Sequence, residues 1–465
     1  MSKVLSLFNL LRIYVVAFIV WLSHDLNDMA CSMQARLGFT LYANGFNKEE
    51  RVAFETILEG FSDALVLSRA ATVYNTDQVM MERTNDVIWR PQPYTAQSHD
   101  GTDATLNFDD STQLSVPATI GFSKHSTAVL SATELRDFLQ EGRLGDAAKQ
   151  KLASDINVAL MRVAAFQGTL VVKRTTAAAG FDDVAQCEAI MNEQGVPAND
   201  RYLALGTRDY NGMASNLAAV TRSFGNQKSD KAYEQAYVGR VASFETYKFD
   251  YAQRQALQLG GAGLTMSTLD AAANYYTPVA TRVAATGEVS NVDNRYQRVT
   301  ISSTVGVVAG DSFTVATLNA VHHITKGDTG QLKTFRVISN DSATTMTISP
   351  PMITGQGATD AEIQYQNCVI NTKAANSALV FLNTVAAAIN PFWQKDALEI
   401  IPGRYAIPSD AGVAVMRGTT DQGIELVMQK FYDINTMRTK YRWDTRFGVV
   451  NKQPEMSGIM LFNQT

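Results

Sequence analysis

Hydrophobic and polar residues alternate in short runs through the stretch that follows Arg298. Val299 and Ile301 alternate with Thr300 and Ser302, and the same period of two recurs at Phe313 and Val315, Phe335 and Val337, Met346 and Ile348, and Ile363 and Tyr365. Clusters of Gly, Asn and Asp lie between these pairs. This pattern predicts half-buried antiparallel strands joined by tight turns. We therefore expect a small β-barrel or sandwich, at roughly 264–370, inserted into a mainly α-plus-β chain.

A helical period predicts an amphipathic helix before this insert. Residues 47–65 place apolar side chains on one side and Glu50, Glu55 and Glu59 on the other, so an acidic face is available. Residues 85–116 are polar, and two prolines exclude a helix there. A long extended stretch of this kind is typical of a functional arm or hairpin.

Further elements follow along the chain. Ser131 and Glu134 have the spacing of a capping box, and the apolar stripe that comes after them predicts a long helix over 131–167. Arg201–Leu205 is expected to be a short buried strand. Helix is predicted again over Ala374–Ile389, and strands are expected to close the chain.

The amino terminus carries an uninterrupted apolar run, Ile13–Leu22, after Lys3 and Arg12. The run is too short to span a membrane and has the size of a signal-peptide core. Ser23–Asp28 is a poor cleavage region, because it has charges where small residues belong. Residues 1–43 have two alternatives to a signal or anchor. They could be a segment upstream of the functional start, or an apolar arm packed on a neighbouring chain.

Composition limits the class of protein. The chain has 465 residues, of which 46% are hydrophobic and 18% charged, so two or three folded units are expected. Lys and Arg number 40 against 45 Asp and Glu, which gives a net charge of −5. The basic residues are scattered, so direct recognition of DNA is not expected. Cys31, Cys187 and Cys368 are far apart and predict neither disulfides nor a zinc site.

Several motifs resemble active sites but lack the partners that the chemistry needs. Gly310–Ser312 is similar to an esterase nucleophile block, yet no histidine follows His323 to act as its base. His322 and His323 are adjacent, and neighbours on a strand point to opposite faces, so a surface strand end is the better interpretation. Gly260–Gly263 lacks the lysine of a P-loop, so a linker is expected. We predict no enzyme, and no catalytic residue, cofactor or metal.

Five segments stand out in order along the chain: Asn85–Pro91, Val238–Glu245, Asn291–Tyr296, Phe392–Ala397, and Arg446–Val449 with Pro454, Glu455 and Gly458. Together they resemble the major capsid protein of tailed phages with the Hong Kong 97-type fold. More narrowly, they are similar to the coat protein of the short-tailed Salmonella phages, which carries an extra inserted β-barrel domain.

This resemblance runs from about Asn44 to the end of the chain and implies an α+β domain organisation. The expected parts are 1–43, an apolar extension of uncertain role; 44–84, an amino-terminal helical arm; 85–116, the extended loop; 117–179, a peripheral domain with a spine helix; 180–263, an axial domain; 264–370, the inserted antiparallel β-barrel; and 371–465, the return to the peripheral and axial domains.

The resemblance also implies a function and partners. The chain would assemble with copies of itself into pentamers and hexamers of an icosahedral shell, with a scaffolding protein and a portal protein as further partners. The shell would assemble in the host cytoplasm, contain no membrane in the mature virion, and enclose double-stranded DNA without reading its sequence. The alternative is a secreted or surface-anchored adhesion protein with an immunoglobulin-like insert.

Site residues follow from the same resemblance. Glu55 and Glu59 would bind a basic helix of the scaffolding protein, although an ordinary solvated helix face is an equal alternative. Candidates for subunit interfaces are Trp89, Arg90, Glu288, Asp293 and Arg295, the last two of which could equally pair within their own domain. No lysine lies between Arg83 and Ser123, so the covalent cross-links known in some relatives are not expected here.

Overall fold

The computed structural model describes residue 46 and residues 48–465, apart from 75–86, 94, 104, 106–107, 132–133, 135–137, 221–237, 252, 259–262, 268–274, 357–358, 372–375, 408–411 and 421. Within that part, the α-helices are Lys48–Ala64, Phe138–Gln167, Phe181–Glu193, Thr207–Val220 and Asp360–Gln364. Short 3-10 helices lie at Leu67–Ala70, Lys395–Ala397 and Pro454–Met456. The apolar run Ile13–Leu22 lies outside the described residues.

Sheet A is built on the long strand Arg438–Asn451. Its other strands are Thr72–Val73, Phe122–Ser131, Leu398–Gly403, Ala414–Thr419 and Glu425–Asp433. The amino-terminal helix Lys48–Ala64 and the spine helix Phe138–Gln167 share a hydrophobic core with this sheet. Apolar side chains with helical spacing (Phe54, Ile57 and Phe61) meet Tyr441 and Trp443 in that core, which confirms the predicted amphipathic helix.

Sheet B holds the predicted strand at Arg201, which spans Arg201–Gly206 and is buried throughout. It contains, in order, Leu170–Lys173, Ser457–Leu461, Asn390–Gln394, Arg201–Gly206, Phe244–Phe249 and Arg240–Val241. Helices Phe181–Glu193 and Thr207–Val220 pack with it around a second core.

Sheet C is the predicted β insert. It runs in the order Thr265–Ser267, Asn376–Phe381, Ser312–Val321, Asp328–Asn340, Thr345–Ser349 and Gln297–Thr300, and Cys368–Ile370 pairs with Ser312–Val321. An antiparallel bridge between Met266 and Ile301 joins the first and last strands, so the sheet closes into a barrel. The side chains predicted to alternate inward at Phe313, Val315, Phe335 and Val337 form its core. The strand predicted at Ile363 and Tyr365 was wrong, because Asp360–Gln364 is a helix and Ile363 is exposed.

Three two-stranded ribbons lie outside sheets A, B and C in the part of the chain that the structure describes. Ile88–Pro91 pairs with Ser115–Ala118, Thr281–Val283 pairs with Val289–Asn291, and Arg254–Gln255 pairs with Ala387–Ala388. The first ribbon confirms that the polar stretch at 85–116 is an extended arm held at its base by a two-stranded stem.

Two helix predictions were wrong in part or in whole. Ala374–Ile389 contains the strand Asn376–Phe381, where Ser377 and Leu379 face inward and pair with strands far away in sequence. Barrel closure therefore overrides the helical preference of its alanines, and sheet C extends past the predicted boundary at residue 370. Leu379 is buried in the barrel core.

The long helix begins at Phe138, and not at Ser131 as the capping box predicted. Ser131 is the last residue of the strand Phe122–Ser131. Its backbone N–H still donates to Glu134 Oε2 at 2.8 Å, and the Glu134 N–H donates to Ser131 Oγ at 3.4 Å. The hydrogen bonds of a capping box therefore form at the end of a strand, several residues before the helix.

Candidate functional site

The acidic face of the amino-terminal helix is smaller than the sequence predicted. Glu55 and Glu59 are exposed and lie one turn apart on the same face. Glu50 is buried, forms an ion pair with Lys430, and accepts a hydrogen bond from the Tyr441 hydroxyl. Of these three glutamates, Glu55 and Glu59 are therefore the two that are accessible to another protein.

The stem of the arm is fixed to sheet A by a charged contact. Arg90 donates through Nη2 to Glu399 Oε1 at 2.8 Å and through Nε at 3.1 Å, and its guanidinium lies 3.6 Å from the centre of the Tyr74 ring. Glu399 is buried and has a second cation, Lys452, at 3.4 Å. Arg90, a predicted interface residue, thus binds a carboxylate of its own chain. Trp89, the neighbouring candidate in the same strand, is half-buried.

Beyond the stem, the arm presents an apolar and acidic tip. Phe108 has 87% of its side chain exposed, more than any other large hydrophobic residue of the described chain. Asp100, Asp103 and Asp109 surround it in sequence and are exposed. Asp109 contacts His99 at 2.5 Å, and hydrogen bonds from Thr105 lower the pKa of Asp103. A tip of this composition is available for contact with a second chain.

The second ribbon, Thr281–Asn291, projects from the insert and is exposed along both strands. Glu288 lies in this hairpin and is exposed. Asp293 and Arg295, which the sequence grouped with Glu288, instead bind each other at 2.6 Å between Oδ2 and Nη2. Arg295 also donates to the Asn451 carbonyl at 2.8 Å, so this pair holds the insert against sheet A.

A buried set of polar contacts, which the sequence did not reveal, joins the insert to the body. Lys333 is fully buried and donates to Glu455 Oε1 at 2.6 Å and to Gln194 Oε1 at 3.2 Å. Arg336, also buried, donates to the Ala165 carbonyl at 3.0 Å, in the last turn of the spine helix. A cation at that position is favourable because the carboxyl end of a helix carries partial negative charge.

His323 lies at the same junction, with its Nε2 atom 3.7 Å from Glu455 Oε2. Burial lowers the pKa of His323 to about 4, and burial likewise lowers the pKa of Lys326 to about 8. The prediction that the two histidines form a surface strand end was partly wrong. The strand ends at Val321, but both rings are half-buried against the body.

The segment Gly310–Ser312, which resembles an esterase nucleophile block, lies in a tight turn in which the Asp311 N–H donates to the Val308 carbonyl at 3.0 Å. Asp311 is buried, accepts from the Val308 N–H at 2.7 Å and from Asn383 Nδ2 at 2.8 Å, and its pKa is raised by burial. Gly310 has a positive φ of 95°, as the tight turn requires. Residues 260–262 of the glycine run lie outside the described residues. Among those that are described, no group of three or more His, Cys, Asp and Glu side chains could hold a metal ion.

The features that stand out are therefore projections and exposed surfaces on a body of three sheets. No helix in the described ranges is long and apolar enough to cross a membrane. Such an arrangement is typical of a structural subunit whose function lies in contacts with other chains.

The chain belongs to the P22 coat protein family. The family model described as "P22 coat protein - gene protein 5" matches residues 42–463. This membership confirms the predicted family and its α+β capsid fold with an inserted barrel. The family consists of structural capsid proteins. Its match therefore favours the capsid hypothesis over the alternative of an adhesion protein.

Solved structures of phage capsids are also similar to this chain. A chain of the capsid of cyanophage P-SCSP1u is 12% identical with a TM-score of 0.40, and the match covers 84% of this chain and 86% of that one. A chain of Mycobacterium phage Che8 is 8% identical with a TM-score of 0.40, over 85% and 90%. The CUS-3 coat protein I-domain is 32% identical over 27% of this chain and 98% of that chain, with a TM-score of 0.19.

Proposed function

We propose that this coat protein assembles, with a scaffolding protein, into an icosahedral shell that contains a portal protein and encloses double-stranded DNA in the virion. The observation that supports this most strongly is the family match over residues 42–463. Assembly takes place in the host cytoplasm. The net charge of −5 fits a container that does not bind DNA tightly.

The amino-terminal helix supplies the contact with the scaffolding protein. Glu55 and Glu59 are exposed carboxylates on one face, so a basic helix fits them. Exposed ion pairs contribute about 0–1 kcal/mol each, which suits a partner that leaves after assembly.

A charge reversal tests this contact. Glu55→Lys with Glu59→Lys should abolish binding of a basic scaffold helix and leave the melting temperature unchanged, because both side chains are exposed. Glu193→Lys, at an exposed acid in the last turn of the helix Phe181–Glu193, is the control for a charge reversal away from this face. Equal scaffold binding by the double variant and the wild type would show that this face is only solvated.

The exposed hairpin Thr281–Asn291 reaches a second capsomer. Its residues are exposed on both strands, and it carries Val283 and Val289, which are 64% and 63% exposed. Apolar side chains on a projecting ribbon are costly in water and become buried when a second copy covers them. Glu288 then supplies a charge at that contact.

The tip of the arm lies across the outer face of sheet A in a neighbouring copy. Arg438, Lys440 and Arg442 alternate along the long strand and are exposed, the last two each by 51%. Exposed Phe431 lies opposite Lys440 in the next strand. Within the chain, Lys440 pairs with Asp433 at 3.3 Å and Arg442 pairs with Asp444 at 2.8 Å. The acidic tip around Phe108 competes for these exposed cations, and Phe431 adds an apolar contact.

A charge swap tests the contact of the arm. Lys440→Glu should reduce the yield of closed shells, and adding Asp100→Lys should restore it, because the pair then has reversed polarity. Failure of the second substitution to restore assembly would contradict the pairing of these two surfaces.

Negative-stain microscopy with sedimentation tests the function as a whole. The full chain and the chain from residue 43 onward should both form spherical shells, spirals or tubes of hexamers when concentrated. A monomer that persists at high concentration in a crowding agent would contradict the proposed function.

A further inference from the structure

The extended arm does not leave its own subunit freely at the stem. Its outgoing segment, residues 95–99, and its returning segment, residues 108–114, are both hydrogen-bonded to the short helix Asp360–Gln364 of the insert. The Asp110 backbone N–H donates to Asp360 Oδ2 at 3.0 Å, and the Thr112 N–H donates to Gln364 Oε1 at 3.1 Å. These side chains therefore satisfy backbone donors on the returning segment of the arm.

Two further hydrogen bonds hold the same segments. Tyr365 donates through its hydroxyl to the Thr112 carbonyl at 2.7 Å, and Gln97 Nε2 on the outgoing segment donates to the Asp360 carbonyl at 3.0 Å. A parallel bridge between Ser115 and Asp293 adds a contact nearer the stem. Both segments of the arm are thus attached to the insert, while the tip around Phe108 is exposed.

The helix that receives the arm is itself held firmly in the insert. Thr359 caps its first turn by accepting from the Glu362 N–H at 3.3 Å. Glu362 is buried and accepts a hydrogen bond from the Thr277 hydroxyl. Gln364 is also buried. A receiving surface with fixed side chains can set the direction in which an attached strand leaves.

We propose that the insert acts as a brace for the arm of its own chain, with Asp360 as the positioning residue that sets the direction of the arm tip. The insert then has two separate roles, since its exposed hairpin lies elsewhere. The consequence for shell geometry rests on the proposed function, because the arm tip is what reaches the neighbouring copy. The contacts within the chain do not depend on it.

A set of substitutions separates positioning from folding. Asp360→Ala removes the acceptor of the Asp110 N–H, whereas Asp360→Asn keeps an oxygen that can accept it. Ile363→Ala, at an exposed residue of the same helix whose apolar side chain cannot accept a hydrogen bond, is the matched control. We expect Asp360→Ala to give at least threefold more open or irregular particles with an unchanged melting temperature, and the other two variants to resemble the wild type. An unchanged distribution of particles in Asp360→Ala would overturn the proposal.

A disulfide tests whether the brace is made within one chain. Cysteines replace Asp110 and Asp360 in a chain with Cys31→Ser, in which the remaining Cys187 and Cys368 are buried. Reduced free subunits and reduced assembled shells are oxidised separately, and both should give a monomer that migrates faster in denaturing gels. Disulfide-linked dimers or ladders would show that arms are exchanged between copies. A disulfide that forms in free subunits but not in assembled shells would show that the arm leaves the helix on assembly, and either result would overturn the proposal.

The two tests distinguish failure of the brace from failure of the proposed function. A wild-type chain that forms no particles contradicts the capsid function, while the disulfide in the unassembled chain still reports on the brace. Normal particles without the intramolecular disulfide contradict the brace alone.

Discussion

The insert has charged residues both on the inner face that packs against the body and on the exposed hairpin Thr281–Asn291, but their surroundings differ. The inner face buries Lys333, Arg336 and Arg295 against the body, where each has a partner in the same chain. The hairpin Thr281–Asn291 exposes all its residues, including Glu288. Charge alone therefore does not mark an assembly contact in this protein. Burial and the presence of a partner within the chain separate the residues that build the subunit from those available to a neighbour.

Removing Lys333 from the inner face should lower the free energy of unfolding more than any other change considered for the two faces. Lys333→Met leaves Glu455 buried without its main partner, and breaking a buried ion pair in this way costs about 3–5 kcal/mol. Urea denaturation should show a transition at lower concentration, with the insert released first. The double variant Lys333→Met with Glu455→Gln should recover part of that loss, because no unpaired charge remains. Single and double variants of equal stability would contradict a coupled pair.

Lowering the pH should reduce the stability of the junction between the inner face of the insert and the body. Burial lowers the pKa of His323 to about 4, so the folded state resists protonation while the unfolded state takes up a proton near the ordinary value of 6.5. Stability that is fully present above pH 6.5 should therefore be lost as the pH falls toward 4. Because the side chain is 20% exposed, we expect a loss of about 1–3 kcal/mol from this group.

Replacement of the histidine isolates its contribution to that pH dependence. His323→Gln should flatten the curve of stability against pH between 6.5 and 4, while His125→Gln, on an exposed strand of sheet A, should leave it unchanged. A loss of stability at more acidic pH should persist, because burial raises the pKa of Glu455 but the nearby cations, Lys333 first, together outweigh it and leave that pKa lowered. An unchanged slope in His323→Gln would contradict the assignment.

Changing the exposed hairpin should have the smallest effect on the free subunit. Glu288→Ala should alter the free energy of unfolding by less than about 0.5 kcal/mol, since surface substitutions away from special features usually do. Its effect should appear only in assembly, as fewer closed shells by microscopy. A loss of stability comparable to that of Lys333→Met would mean that the two faces do not differ as described.

Much of the fold could be predicted from local patterns in the sequence. Alternation with a period of two located the insert, because each strand places Phe313, Val315 and similar side chains in one core. The helix predicted over Ala374–Ile389 failed for a different reason. Pairing of Asn376–Phe381 with distant strands decides its conformation, and no local window contains that information.

The polar contacts at the junction could not be predicted for the same reason. Lys333 and Glu455 are 122 positions apart, and Gln194 is 139 positions from Lys333. The resemblance left two alternatives open for Asp293 and Arg295, a subunit interface or a pair within their own domain, and the structure shows the pair. The hydrogen bond from Arg295 to the Asn451 carbonyl joins residues 156 positions apart, so no local pattern contains it.

A reconstruction of assembled shells by cryo-electron microscopy tests the central claim most directly. The account predicts that the hairpin Thr281–Asn291 contacts a second copy, while Arg295 stays bound to Asn451 and Lys333 to Glu455 in the same chain. A shell in which the insert has rotated, so that these internal contacts are broken and remade with a neighbour, would contradict it.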